Sequence, residues 1–483
     1  MADNEKNVVL HIVMFPWLAF GHMIPFLELS KYLARRGHRI SFVSTPRNLQ
    51  RLPKIPSNLS NLINFVGLPL PRIIKDHNLL PSNAEATSDI TFDKIQYLKI
   101  QFDGLIDTSL SKFLETSSPD WIFCDFPAQR LSPIAAKLDI PCAYFCTGNA
   151  SALAFCAPPS IAMCDDERSR STPEDFTVPP KWVTFPTNIV YRYYEAKRWL
   201  DLEQNASRAP DSNRMGSALL NCQVIFVRSY TELEGEWLNL LQEVHKKPVI
   251  PVGMLPPSSN FEEKGDEEED GSDEWMVMRE WLDKQKEKSV IYVAFGSEVT
   301  LSREDLNELA FGLELSELPF FWAMRRPHGS TRQDDSTGLP DGFEDRVKDR
   351  GFIRMGWVPQ LRILGHPSVG CFVTHCGWSS ILEGLVKEKA LVLLPMLYDQ
   401  GLVARLVVEK KLGLEIQRDE RDGSFTRDSV VEALKAVMVE EEGEWIRTKA
   451  REMKKIIDNM ELQNKCIDNI ERFLIDHRRE RDD

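Results

Sequence analysis

No stretch of 18 apolar residues occurs in this chain, which argues against a membrane-spanning helix. Neither G-x-G-x-x-G nor G-x-x-x-x-G-K-[ST] is present, so a dinucleotide-dependent oxidoreductase or a P-loop NTPase loses its main support. Basic residues are the minority, 59 against 73 acidic, and the net charge of −14 argues against nucleic acid or an anionic membrane as the main partner. Cysteine is sparse and odd in number, nine residues scattered mostly through apolar runs, which reads as reduced core thiols. Cys142 and Cys146 make a C-x-x-x-C, but no second pair or histidine cluster accompanies them, so zinc is not expected. The first residues, MADNEKN, are polar and lead into strand-like alternation rather than a signal peptide, so a cytoplasmic location is expected. On that expectation the sequons at Asn58, Asn149 and Asn205 carry no weight.

What the chain does have is length and apolar content. At 483 residues and 42% hydrophobic it is too long for one ordinary core, and two domains are expected. Continuous apolar strands alternate with helical spacing in both halves, the pattern of parallel sheets covered on both faces. In the first half the strands are expected at Val8–Phe15, Arg39–Ser44, Ile63–Leu68, Trp121–Phe126, Cys142–Cys146 and Val224–Ser229, with a helix at Pro25–Arg35. In the second they are expected at Val290–Phe295, Phe320–Met324, Phe352–Met355, Gly370–Thr374 and Ala390–Pro395. Helices are expected at Arg303–Leu315, Gln400–Lys411, Ser429–Val439 behind a Thr426 cap, and Glu442–Arg478. The division that follows is a first domain over 1–247, a linker and acidic loop over 248–275 (Pro248–Pro257, then the charge run Glu262–Asp273), a second domain over 276–455 and a terminal helix over 456–483 that packs back on the first. The fold class is α/β, two Rossmann-like domains.

One block concentrates the candidate chemistry: Trp357 to Gln400, WVPQLRILGHPSVGCFVTHCGWSSILEGLVKEKALVLLPMLYDQ. It places a polar turn, His375–Ser380, between a buried strand and a helix, where open α/β sheets hold ligands. This block resembles the donor-binding signature of plant UDP-dependent glycosyltransferases. FPWLAFGHMIPFLELSKYL, PDWIFCDF, SVIYVAFGSEVTLS, ELPFFWAMRRP and LPDGFEDRVKDRG extend the resemblance over nearly the whole chain. It implies the GT-B arrangement of two facing Rossmann-like domains, with the active site in the cleft between them. The AFGH, GSEVTLS and HCGWSS variants look most like the branch that adds a sugar to an existing terpenoid or flavonoid glycoside.

A UDP-sugar offers a base, a ribose, a pyrophosphate and a hexose. Trp357 can stack on uracil, with Val358 and Gln360 at its edge; taken alone, Trp357 reads first as a core aromatic, and its place at a strand end just before Pro359 tilts it toward stacking. The helix start at Gly377, Trp378, Ser379 and Ser380 suits phosphate through unpaired amides and the macrodipole, with His375 and Ser297 as further donors. His375 equally fits a buried ring satisfying a turn carbonyl. Glu383 either closes a capping box with Ser380 or, as the resemblance implies, holds the ribose hydroxyls. Tyr398, Asp399 and Gln400 stand where the hexose hydroxyls would be gripped, and Gln400 points to UDP-glucose.

Three positions depart from the family pattern: Ser379 for the usual Asn, Glu388 for Gly and Ala390 for Pro. Glu388 is tolerable if its φ is negative or its side chain reaches water.

For catalysis, the resemblance assigns His22 as the base and Asp125 as the carboxylate orienting it; spacing alone leaves both open to structural roles. The implied reaction is direct displacement with inversion at C1, without metal or other cofactor. The partners expected are a UDP-sugar and a small glycoside acceptor, with the protein a monomer. Phe20, Asn149–Cys164 and Trp182–Trp199 are expected to line the acceptor pocket. Glucosyl transfer directly to an aglycone hydroxyl stays open, as do two other classes: a nucleotide-sugar or dinucleotide binding module without catalysis, and a hydride-transferring enzyme.

Overall fold

The computed structural model describes residues 8–76, 78–155, 170–203, 209–256, 273–325 and 338–482. The acidic run 262–272, Cys156, Cys164 and Asn205 lie outside them. The chain divides into two compact units, one of 1–169, 202–257 and 460–483, the other of 170–201 and 258–459.

The first unit is built on seven parallel strands: β1 His11–Phe15, β2 Arg39–Ser44, β3 Ile63–Gly67, β4 Trp121–Cys124, β5 Cys142–Cys146, β6 Val224–Val227 and β7 Val249–Pro251. Their order is β3-β2-β1-β4-β5-β6-β7. β1 therefore has β2 on one side, Ile12 opposite Ile40, and β4 on the other, Ile12 opposite Trp121. The strands are apolar in succession because helices cover both faces. Met14, Phe26, Phe123 and Phe226 share one fully buried cluster with Ile467, Ile470 and Leu474 of the terminal helix. Each such side chain contributes about 1.5–3 kcal/mol.

The second unit holds six parallel strands: β8 Val290–Ala294, β9 Phe320–Met324, β10 Gly351–Met355, β11 Val369–Thr374, β12 Ala390–Leu393 and β13 Gly413–Glu415. Their order, β10-β9-β8-β11-β12-β13, reverses direction between β8 and β11, just as the first sheet's does between β1 and β4. Thr426 caps the helix Arg427–Met438 by accepting from Ser429 N.

Four expectations need correcting. Pro248–Pro257 is no free linker: Val249–Pro251 pairs with β6, Pro251 sitting where an edge strand tolerates a missing N–H. The first helix begins at Phe20, five residues before Pro25, because Pro25 removes a single helical bond that the packed second turn survives. The long terminal stretch is two helices, Glu441–Ile457 and Met460–Asp482, and the break at 458–459 coincides with the division between units. Finally, residues 170–201 group with the second unit, so the 182–199 stretch is not part of the first.

Candidate active site

In the first unit the reversal of strand order opens the carboxyl ends of β1 and β4 toward ligand, and the expected pair stands there. His22 occupies the first turn of the helix after β1, and Asp125 directly follows β4. His22 Nδ1 lies 2.7 Å from Asp125 Oδ2. The same oxygen accepts from Trp17 N at 3.0 Å, and Oδ1 accepts from Phe126 N at 2.7 Å. Both oxygens accept from backbone amides, so the geometry suits an imidazole that donates from Nδ1 to Oδ2. Asp125 is buried, its side chain 3% exposed, whereas that of His22 is 29% exposed. The pair is thus a fixed anion behind a ring that reaches solvent.

Thr147, just past β5, brings its hydroxyl to 3.2 Å from His22 Nδ1. Phe20 is half-buried against the core cluster, with the Arg51 guanidinium 5.0 Å over its ring. Asn149 is fully buried and donates to Ser151 Oγ and Glu234 Oε1. Glu234 in turn accepts from the amides of Ala150 and Ser151 at 3.0 and 2.8 Å, meeting the orphan donors of the helix Ala150–Phe155. Asn149 therefore serves that helix start and does not present an open surface, which corrects its expected place in an acceptor pocket.

In the second unit the equivalent reversal brings the turns after β8 and β11 side by side. A Cβ on Gly296 would lie 2.6 Å from His375 Cε1, and one on Gly377 2.7 Å from His375 Nε2. The imidazole is thus slotted between two glycines, where no other residue leaves it room. Gly296 also has φ +66°. Burial pushes the His375 pKa down to about 4, so the ring is neutral and bears one N–H. Its Nδ1 is buried without a hydrogen-bond partner, so the carbonyl-satisfying reading is not what this turn displays.

The helix Trp378–Val386 follows, with Gly377 as an N-cap that makes no side-chain cap bond. Ser379 and Ser380 are half-buried in its first turn, Ser297 is half-buried in the neighbouring turn, and the Trp378 side chain is buried. With Gly377 at the cap, Ser380 falls at the third helical position, so the Ser380–Glu383 capping box does not form. Glu383 instead accepts from Gln360 Nε2 at 2.6 Å, and Gln360 Oε1 accepts from the buried Tyr292 hydroxyl at 3.1 Å. Trp357, beyond β10, is 73% exposed and no core aromatic, while Val358 beside it is buried.

After β12 the chain turns through Met396–Asp399, with Tyr398 at φ +51° and Asp399 half-buried at the start of the helix Gln400–Glu409. Gln400 Oε1 accepts from Met396 N and Leu397 N at 3.0 and 2.8 Å. Its amide nitrogen is the part of Gln400 suited to a sugar oxygen. Glu388 has φ +55°, so the requirement for negative φ fails, but its side chain is exposed to water. Ala390 is buried at the first position of β12.

Thr147, Tyr292 and Glu234 were not reached from sequence. The first two stand at or inside apolar strands without a local motif; Glu234 is read by periodicity as an ordinary helical glutamate.

Residues 188–446 match the family model for UDP-glucoronosyl and UDP-glucosyl transferases. The chain is 47% identical over 481 residues to UDP-glycosyltransferase 91A1 of Arabidopsis thaliana, with 99% of each chain covered. It is 42% identical over 468 residues to soyasaponin III rhamnosyltransferase of Glycine max, with 96% of this chain and 95% of that one covered. Among solved structures, Phytolacca americana UGT2 complexed with UDP-2fluoro-glucose and pterostilbene superposes with a TM-score of 0.72 at 25% identity, covering 96% of this chain and 100% of that one.

Proposed function

The chain belongs to the UDP-glucoronosyl and UDP-glucosyl transferase family, and from that membership we propose that it moves glucose from UDP-glucose to a hydroxyl on the sugar of an existing terpenoid or flavonoid glycoside. UDP-sugar glycosyl transfer to plant metabolites is the activity of its family and relatives. The observation that carries catalysis is the Asp125-anchored His22, 2.7 Å apart, standing just past the carboxyl ends of β1 and β4. A module that only bound nucleotide sugars would have no need of that pair, and no glycine fingerprint supports hydride transfer.

In the proposed mechanism, His22 Nε2 takes the proton of the acceptor hydroxyl while Asp125 stabilises the imidazolium. The acceptor oxygen forms a bond to C1 as the bond from C1 to the β-phosphate oxygen breaks, and the α-linked donor yields a β-linked product. Trp357 stacks on uracil, Glu383 takes the ribose hydroxyls through the Tyr292–Gln360–Glu383 chain, and the helix start at Gly377–Ser380 with the neutral His375 meets the charge of departing UDP. We assign no metal to this step, because these donors supply the leaving-group stabilisation. We place the reaction in the cytoplasm, which the free thiols of all seven described cysteines support.

The donor is glucose on the strength of Gln400. Rhamnose is the second reading, favoured by the 42% identity with a protein named as a rhamnosyltransferase. A panel of UDP-glucose, UDP-rhamnose and UDP-xylose against paired aglycones and their monoglucosides, read by product mass, tests all of this. Hexose added to monoglucosides is expected. Transfer to aglycones alone overturns sugar extension, and transfer from UDP-rhamnose alone overturns glucose. No UDP release with any acceptor returns the protein to the binding-module class.

A further inference from the structure

The loop Met396–Gln400 is held by a helix from far upstream. The helix Tyr193–Glu203 packs within the second unit, although it precedes β8 by some ninety residues. Arg198 donates from NH1 to Met396 O at 2.9 Å. The Glu195 carboxylate lies so close to Gly401 that a Cβ there would sit 2.4 Å from Oε2. That same Oε2 accepts from Arg405 NH2 at 2.8 Å and caps its own helix by accepting from Arg192 N at 2.8 Å. Arg405 NH1 reaches both Glu415 oxygens at 3.1 Å, and Arg192 closes the ring onto Glu415 at 3.2 Å. Arg192, Glu195, Arg405 and Glu415 thus form a largely buried quartet of two cations and two anions directly beneath the start of the Gln400–Glu409 helix. Arg418, stacked 5.2 Å from the Tyr194 ring, donates to Pro395 O at 2.5 Å.

The loop is therefore tied at successive points: Pro395 O to Arg418, Met396 O to Arg198, the Met396 and Leu397 amides to Gln400, and Gly401 against Glu195. Tyr398, inside it, has left-handed φ, a conformation such a surround must enforce. The quartet brings together charges from residues 192 to 415, and unpaired burial of any one of them is costly.

We infer that Arg198 and Glu195 are positioning residues for the donor sugar. They fix the backbone of Met396–Gly401 so that Asp399 and Gln400 meet the hexose hydroxyls in one geometry. The inference rests on the assignment of Asp399 and Gln400 to the hexose under the proposed function. It adds that the precision of that grip is set by a segment outside the donor block. The residues proposed for uracil, ribose and phosphate stand in the turns after β8, β10 and β11, whereas the ties from Glu195 and Arg198 reach Met396 and Gly401, so the loss of those ties should fall first on the sugar.

The test compares wild type with Arg198→Met and Arg198→Lys, measuring UDP affinity by calorimetry and kinetics with UDP-glucose and UDP-xylose, which lacks the C6 hydroxymethyl. Losing one charge-assisted bond to a buried carbonyl is expected to raise KM for UDP-glucose about tenfold, with the dissociation constant of UDP within about twofold of wild type. The preference for UDP-glucose over UDP-xylose should narrow. Arg198→Lys, which keeps a cationic donor, should recover part of both. Glu195→Gln is the second variant, keeping volume beside Gly401 while removing the charge that Arg405 uses, and it should shift donor KM in the same direction. Unchanged donor KM and donor preference in a folded Arg198→Met protein, with only a lowered melting temperature, overturns the inference. So does a parallel loss of UDP affinity. A wild-type protein that transfers no sugar at all sinks the functional reading first, and the two failures are distinct.

Discussion

Replacing Asp125 by Asn keeps size and shape while removing one acceptor oxygen, so its effect can be worked out from the contacts. Three N–H groups converge on this carboxylate: His22 Nδ1–H and Trp17 N on Oδ2, Phe126 N on Oδ1. An amide has one oxygen for these two sides. If that oxygen stays with Phe126, the new NH2 faces Trp17 N–H and the imidazole. His22 must then accept at Nδ1 and carry its proton on Nε2, where a base is needed. If the amide flips, the tautomer survives, but Phe126 N–H is buried without a partner at about 1–3 kcal/mol. Either orientation also removes the anion that stabilises imidazolium in the transition state. A wrong tautomer in the analogous hydrolase arrangement lowers turnover about 10⁴-fold, and a loss of about 10³- to 10⁴-fold in kcat is expected here. UDP affinity, which the proposed function assigns to the second unit's turns, should stay within about twofold. The assay is initial-rate product formation at saturating donor, paired with calorimetric titration of UDP. Retention of more than about a tenth of wild-type kcat refutes the orienting role, and an equal loss of UDP binding shows the damage to be structural.

Three further outcomes rest on the geometry of single residues. Gly296→Ala places a methyl 2.6 Å from the His375 ring at φ +66°, and UDP should bind about tenfold more weakly by calorimetry, since the left-handed backbone alone costs ~1–2 kcal/mol. His245, buried at the end of the helix Thr231–His245, has its pKa pushed down to about 4 by burial, so between pH 6.5 and 4 the unfolded chain binds a proton that the folded one refuses. Stability should therefore fall as pH falls through that window, by about 2 kcal/mol from pH 7 to pH 5 for this group; urea midpoints for His245→Leu should show a shallower decline than wild type. Glu388→Gly relieves the φ of +55° at an exposed turn and should raise stability by about 1 kcal/mol in urea melts while leaving transfer rates unchanged.

Strands with both faces covered were legible because burial on both sides forces continuous apolar runs, and Val290–Ala294 or Trp121–Cys124 admit no other reading. β7 was hidden by Pro248 and Pro251, residues that read as punctuation although the outermost strand tolerates them. The turn His375–Ser380 between β11 and its helix is legible because glycine, histidine and serine stand together in sequence. Its inner geometry was not, since the fit of His375 between Gly296 and Gly377 spans 377 − 296 = 81 residues. The Arg405–Glu195 pair, 210 residues apart, leaves no local pattern at all. The 182–199 stretch was therefore assigned by its aromatic and basic content to the wrong unit.

The terminal helix Met460–Asp482 closes the first unit: Gln463 donates to Val252 O and accepts from the Tyr230 hydroxyl, and Trp121 Nε1 donates to Leu474 O. A ribosome delivers that helix long after the sheet it covers. The first sheet's strands are complete by Pro251, yet the chain must extend past two hundred more residues before Ile467, Ile470 and Leu474 exist to cover them. At translation speeds of about 5–20 residues per second, the gap lasts on the order of 10–40 s. For that time a nascent apolar groove faces solvent beside a domain still being made. Yield on expression, more than equilibrium stability, is where substitutions along that groove should first be felt.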